Sequence, residues 1–484
     1  MSPIVLLLVG IGVVIGGILW LRLHAFLALA LAAFAVGFLT PKENLLGYWE
    51  SEKRQGKTTE EASVLAEQSV GKRIAEGFGR TCAKVGIIIA MAAIIGTCLL
   101  ESGAADRIVR SALKLCGEKR APYALSGSSF VLGIPVFFDT VFYLMIPLAK
   151  ALASRTGRNY LLYVLAIIAG GSMTHSLVPP TPGPLLVAGE LGVDIGHMIL
   201  GGLTVGVFGM IGGFIYAHWA NARWPMEVRP GEDLTHEDLK AMAARSDSEL
   251  PSLWLSLAPA IIPVLLIAGY SILKEAIPAK DASAAEKQLL GVLKILGDKN
   301  LALTIGGGMA LWLLYKSGAK KGNELAESVR KSLASAGSII LITGMGGAFG
   351  GILQQTGIGS EVSRLIEATG MGLTGLLLLA FFVTVVIRIA QGSATVAMIT
   401  AVGIVGGMVD ANAGYWVGYV AIAIGCGAKP FPWMNDSGFW VVGRLSGFTE
   451  AETLKTFSCI ISLLGIVGII ATLILANLFP NFIF

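Results

Sequence analysis

Long apolar runs separated by short polar links set the pattern of this chain. The runs Val5–Leu21, Ala25–Leu39, Val85–Leu100, Leu161–Ala169, Met198–Ala217, Leu253–Ile272, Leu301–Leu314, Ile339–Leu353, Leu376–Ile387 and Ile460–Leu478 each predict a helix. A membrane span takes about 20 apolar residues, fewer where surrounding protein shields its ends. The polar stretch from Pro41 to Lys84 carries acids and bases together and suits surface helices, with a linker as the plainer alternative.

Two segments in each half break this pattern. Pro122–Lys150 would reach ~43 Å as one straight helix, beyond the ~30 Å hydrocarbon. Gly133, Pro135 and Asp139 interrupt it, which predicts a re-entrant hairpin with its tip at Pro135–Thr140. The run from Tyr160 is cut by Pro179, Pro180, Pro182 and Pro184, which forbid continuous helix hydrogen bonding. In the second half the interruptions fall at Arg388–Thr395 and Lys429–Gly438. Broken backbone at membrane depth is tolerated only inside protein or along a wet cavity. Paired breaks in corresponding places of two halves point to a transporter's binding site.

The halves also resemble each other in sequence. Gly96-Thr97-Cys98-Leu99-Leu100-Glu101-Ser102-Gly103 matches Gly350-Gly351-Ile352-Leu353-Gln354-Gln355-Thr356-Gly357, about 254 residues later, and the same shift carries Asp139 onto Ser393. A slightly larger shift places Met173–Ser176 on Met434–Ser437. Charge then sets the orientation of the copies. The links beside the first hairpin carry Arg107, Arg110, Lys114, Lys119, Arg120, Lys150, Arg155 and Arg158, whereas those beside the second carry only Arg364. By the positive-inside rule the two hairpins open from opposite sides, so the repeats are inverted.

The expected architecture is an all-α polytopic membrane protein with about ten transmembrane helices, two re-entrant hairpins and two broken helices. Residues 1–218 form the first inverted repeat, 219–252 a cytoplasmic linker and 253–484 the second repeat. Residues 121–195 and 371–447 form a transport part and the remaining helices a scaffold. Both termini lie outside a bacterial-type inner membrane.

Composition supports this class: 54% of residues are hydrophobic and 14% charged, against roughly 25% charge in a soluble domain. The net charge of +4 is small and scattered, so nucleic-acid binding has no footprint. Cys82, Cys98, Cys116, Cys426 and Cys459 contain no CxxC pair and read as small core residues, with no metal or cofactor implied. Gly306–Gly308 and Gly344–Gly347 follow no strand, so they suit close helix packing rather than nucleotide binding. No Walker pattern appears, which speaks against an ATP-driven pump.

Candidate chemistry concentrates at the breaks. Asp139 and Asp436 are intramembrane carboxylates, functional by default because their placement is costly. The plainer reading has them satisfied by backbone N–H groups. His175 beside the proline break is a coupling or ligand candidate; the bland view is a bonded core histidine. Asp139, His175 and Asp436 are the proton-coupling candidates. Arg388 and Lys429 are the two bases outside the links. A guanidinium there suits a substrate carboxylate, while an ion pair with an acid such as Asp436 competes with that role. The expected substrate site draws Phe138, Asp139 and Thr140 from the first hairpin, and Thr174, His175, Ser176, Thr181 and Gly183 from the first broken helix. The second half adds Arg388, Gln391, Gly392, Ser393 and Thr395, then Asn435, Asp436 and Ser437. An enzyme would need a nucleophile and base with a third group, and only Ser172 and Ser176 beside His175 suggest one.

At Thr174–Pro184, Gln391–Val396 and Asn435–Trp440, with Gly96–Gly103 and Phe137–Asp139, the chain resembles the gluconate permease family of proton-coupled symporters. The likeness runs across nearly the whole chain. It implies uptake of a gluconate-like sugar acid or related hydroxy acid with protons, by alternating access, in a homodimer of the wider ion-transporter fold. A sodium-coupled carboxylate carrier is the nearest alternative, and an anion channel or membrane-embedded enzyme the more distant ones. This chain carries Asp139, Thr181 and Pro432-Trp433-Met434 where the family usually has glutamate, histidine and Ser-His-Val. Those departures fall in the expected site and leave the particular substrate and coupling open.

Overall fold

The computed structural model describes residues 1–51, 64–229, 249–277, 283–320, 322–358, 361, 372–409 and 416–481. Among the described residues every regular element is a helix. Seven are long and apolar enough to cross a membrane, or up to eight if Ala25–Leu39 and Lys42–Trp49, bent by 98°, form one span.

The first half comprises α1 (Pro3–Leu19), α2 (Ala25–Leu39), α3 (Lys42–Ser51), α4 (Val70–Glu101), α5 (Ala104–Cys116), α6 (Ala121–Leu132), α7 (Phe138–Thr156), α8 (Tyr160–Leu177), α9 (Pro182–Glu190) and α10 (Ile195–Arg223). The second comprises α11 (Leu253–Ala276), α12 (Ala284–Leu296), α13 (Lys299–Lys316), α14 (Asn323–Gln354), α15 (Gly372–Gln391), α16 (Ala394–Val405), α17 (Gly418–Gly427), α18 (Ser437–Ser446) and α19 (Cys459–Leu478). A helical turn at Glu450–Thr453 and a π-helical segment at Leu454–Ser458 lead into α19. Residues 230–248 of the expected linker, and Arg364 of the charge comparison, lie outside the described residues.

α8 lies at the centre. Apart from the polar residues of its last turns it is apolar on all sides, and every residue except His175 is buried, as such a helix requires. It packs against α6, α7 and α10. Its approach to α6 is close: a Cβ on Gly170 would overlap the Ser126 carbonyl oxygen and Ser129 Oγ. α4 and α14, each of 32 residues, run against one another, and α14 also holds α2 and α16.

Several boundaries differ from the expectation. α4 starts at Val70, not Val85, because its polar first turns are capped and paired. Ser69 Oγ accepts from Lys72 N (3.3 Å), and Arg73 donates to Gln355 Oε1 (2.7 Å) and the Gly37 carbonyl (3.3 Å). α14 likewise begins at Asn323, well before Ile339, and Ser328 on its polar turns donates to Glu101 Oε2 (2.6 Å). α12 has no counterpart in the expected set. Its signal was present as the capping box Ser283–Glu286.

The breaks, at residues 133–137, 178–181, 392–393 and 428–436, overlap the expected segments but are shorter: Asp139 and Thr140, expected at the hairpin tip, lie in the first turn of α7, and Arg388 and Thr395 lie in α15 and α16. Across the halves, α9 packs on α16 and α18 packs on α7. Each broken helix therefore lays its second segment on the interrupted pair of the opposite half.

Candidate functional site

Three of the interruptions, together with the last turns of α8 before the fourth, contribute to one cavity of about 270 Å³. Phe137, Phe138 and Asp139 enter from the start of α7, and Ser172, His175 and Ser176 from the end of α8. Arg388 comes from the end of α15, Ser393 to Val396 from the start of α16, Lys429 from beyond α17, and Asp436 to Gly438 from the start of α18. The remaining wall is largely apolar, with Ile339, Ile342, Ile399, Phe457 and Ile461.

Three helix N-termini thus face one space. α7 has no side-chain cap, while Ser393 Oγ accepts from Val396 N (3.4 Å) on α16 and Asp436 Oδ1 from Gly438 N (2.7 Å) on α18. Unsatisfied N–H groups and the helix dipole make such ends favourable for anions.

The charged groups are held differently. Arg388, 4% exposed, forms an ion pair with Asp436 and donates to the Gly392 carbonyl. The alternative left open for this arginine in the sequence is therefore the arrangement found. Lys429, 3% exposed, donates to the carbonyl and to Oγ (2.8 Å) of Ser172. Asp139 accepts from Ser437 Oγ at 3.4 Å. The last two contacts join the halves. His175 Nδ1, Ser176 Oγ and Arg388 Nε are buried and meet no hydrogen-bond partner among the described residues.

Of the expected site residues, Phe138, Asp139, His175, Ser176, Arg388, Ser393, Thr395, Asp436 and Ser437 line the cavity. Thr140, Thr174, Thr181, Gly183, Gln391, Gly392 and Asn435 do not. Thr174 is buried where a Cβ on Gly133 would strike it, and Thr181 donates to the Val178 carbonyl (2.7 Å), closing the proline break. Gly183 admits Met398 at the contact of α9 with α16. Gln391 reaches Thr400 Oγ1 at 3.5 Å. Gly392 has φ +76°, and a Cβ there would overlap the Asn435 carbonyl. Asn435 Nδ2 (2.9 Å) and Trp433 Nε1 (3.0 Å) both donate to the Ile389 carbonyl, freed by the end of α15. These residues hold the breaks together from behind.

Lys429 and Ser172 stand in the cavity outside the expected set. A lone base in an apolar segment before Pro430 was the signal for Lys429; Ser172 was marked only by its place near His175, and its partner lies 257 residues away. The isoleucine wall looked like ordinary span sequence.

Buried charge, interrupted helices and apolar spans define a polytopic membrane transporter. The profile of the GntP family permeases matches residues 61–479, and the chain belongs to this family. A permease of Haemophilus influenzae is 32% identical, covering 98% of this chain and 92% of its own length. The gluconate permease of Pseudomonas aeruginosa is 32% identical over 94% of this chain and 93% of its own. Among solved structures, MtrF of Neisseria gonorrhoeae, described within a class of antimetabolite efflux pumps, superposes with TM-score 0.60 at 16% identity, covering 84% of this chain and 83% of that one. The relatives are permeases and transporters, and this protein is an integral membrane transporter, not an enzyme.

Proposed function

We propose that the protein is a proton-coupled symporter that imports a small organic anion by alternating access. The observation that carries this reading is the meeting of three helix N-termini and two buried cations in one cavity. The gluconate permeases among its relatives make gluconate the first sugar acid to test.

Charge supplies the reason for coupling. Arg388 and Asp436 cancel as a pair, and Lys429 and Asp139 carry opposite formal charges, so the empty site is formally neutral. A carboxylate alone would leave one uncompensated negative charge in a poorly solvated space, and a proton alone one positive charge; both are unfavourable. Together they restore neutrality. Empty and doubly loaded sites can therefore reorient while singly loaded ones resist. Asp139 is the foremost proton site, with His175 and Asp436 behind it.

The reciprocal packing of α9 on α16 and α18 on α7 supports two inverted repeats, residues 1–218 and 253–484. Residues 121–195 and 371–447 move against the scaffold of the other helices. The protein works as a homodimer in a bacterial inner membrane with both termini outside.

The test is uptake of labelled gluconate and related hydroxy acids into proteoliposomes, first under a pH gradient and then under a sodium gradient. Accumulation follows the pH gradient. Accumulation driven by sodium alone overturns the coupling, and flux without saturation or counterflow makes the protein a channel.

A further inference from the structure

We infer that Lys429, and not Arg388, receives the substrate's carboxylate, and that the substrate is a small monocarboxylate with few hydroxyls whose body lies on the isoleucine wall. This rests on the transport function proposed above and names the ligand of that same cavity.

Arg388 already has its counter-ion in Asp436, although its Nε meets no partner among the described residues. Its two terminal nitrogens engage Asp436 and the Gly392 carbonyl, so turning it to a substrate would strand a buried carboxylate and reopen the break after α15. Lys429 is buried and forms no ion pair with a carboxylate of the described residues. It donates to two oxygens of one residue, Ser172, while an ammonium carries three N–H donors. A buried cation lacking a counter-ion is unfavourable, and a docked carboxylate supplies one.

The surroundings agree with that orientation. Ser172, His175 and Ser176 are spaced i, i+3, i+4, which places them on one face at the end of α8. Ser176 Oγ and His175 Nδ1 are buried without partners, ready for the second carboxylate oxygen or a nearby hydroxyl. Thr395 is a further neutral group in the lining. The wall made by Ile339, Ile342, Ile399, Phe457 and Ile461 offers no hydrogen-bonding side chain. A six-carbon polyhydroxy acid would press several hydroxyls against it, each losing water without replacement. An acid with one or two hydroxyls matches the few neutral groups left over. When its carboxylate neutralises Lys429, the charge left uncompensated is that of Asp139, which then takes the coupling proton.

The test is equilibrium binding to the purified full chain in detergent, by calorimetry, using lactate, glycerate, gluconate and lactamide as probes. Lactate and glycerate bind at least ten-fold more tightly than gluconate, and lactate roughly ten- to hundred-fold more tightly than lactamide, the range of a charge-assisted hydrogen bond. Lys429→Gln removes the lactate preference over lactamide, bringing the two dissociation constants together. Should that variant fail to fold, Lys429→Arg decides, since it keeps the charge but moves it: a ten-fold or larger loss for lactate supports the assignment. Unchanged lactate affinity in a folded Lys429 variant, gluconate binding as tightly as lactate, or no binding of the acids to the wild-type protein overturns it. Because no gradient is present, this result stands or falls separately from pH-driven uptake.

Discussion

The first half brings one carboxylate, Asp139, and the neutral groups Ser172, His175 and Ser176 to the cavity; the second brings Arg388, Lys429 and Asp436. The geometry of the breaks is shared but their closure is not. Between α6 and α7 the backbone closes its own turn, with Gly133 N donating to the Ser129 carbonyl (2.8 Å) and Val136 N to the Leu132 carbonyl (3.1 Å). Between α15 and α16 the freed carbonyls of Ile389 and Gly392 are taken by the side chains of Trp433, Asn435 and Arg388. Charge in the second half is thus partly architectural. Not every charged residue near a break is available to a substrate.

Five variants separate these roles. Asp139→Asn removes the only cavity-lining carboxylate of the first half among the described residues, and pH-driven accumulation in proteoliposomes is lost completely while substrate exchange at equal pH persists. Retained accumulation would clear Asp139 of the proton role. Arg388→Ala leaves Asp436 buried without its counter-ion and the Gly392 carbonyl without its side-chain donor, and unfolding in detergent shows a loss of about 3–5 kcal/mol. The joint replacement Arg388→Met with Asp436→Leu loses less, because no charge is stranded; equal losses would deny the pair its architectural part. Gly392→Ala forces a side chain into φ +76° and against the Asn435 carbonyl, costing about 1–3 kcal/mol from the backbone alone. Gly133→Ala in the first half meets Thr174 and the Gly171 carbonyl but needs no positive φ, so its loss is the smaller of the two. The reverse order of unfolding temperatures would mean that the first break is the tighter one.

Much of the site was legible because its signals are local. Pro179 to Pro184, Gly392 and Asp139 stand out against apolar neighbours wherever the chain runs, and the prolines forbid continuous helix hydrogen bonding from α8 into α9. Residues such as Thr174 and Gly183 share those breaks yet turn into helix contacts. A motif marks the segment, while the register of the helix selects which side faces the cavity. The early start of α4 was hidden because Arg73 looks exposed in sequence and is buried only through Gln355 and Gly37.

By itself the sequence determined a helical membrane transporter and the places where its helices stop, since apolar run length and backbone restriction act over a few residues. Tertiary structure alone decided which bases carry a counter-ion: Arg388 finds Asp436 48 residues away, and Lys429 finds only Ser172, 257 residues away. Burial and pairing depend on neighbours brought together by packing, and these lie far apart along the chain.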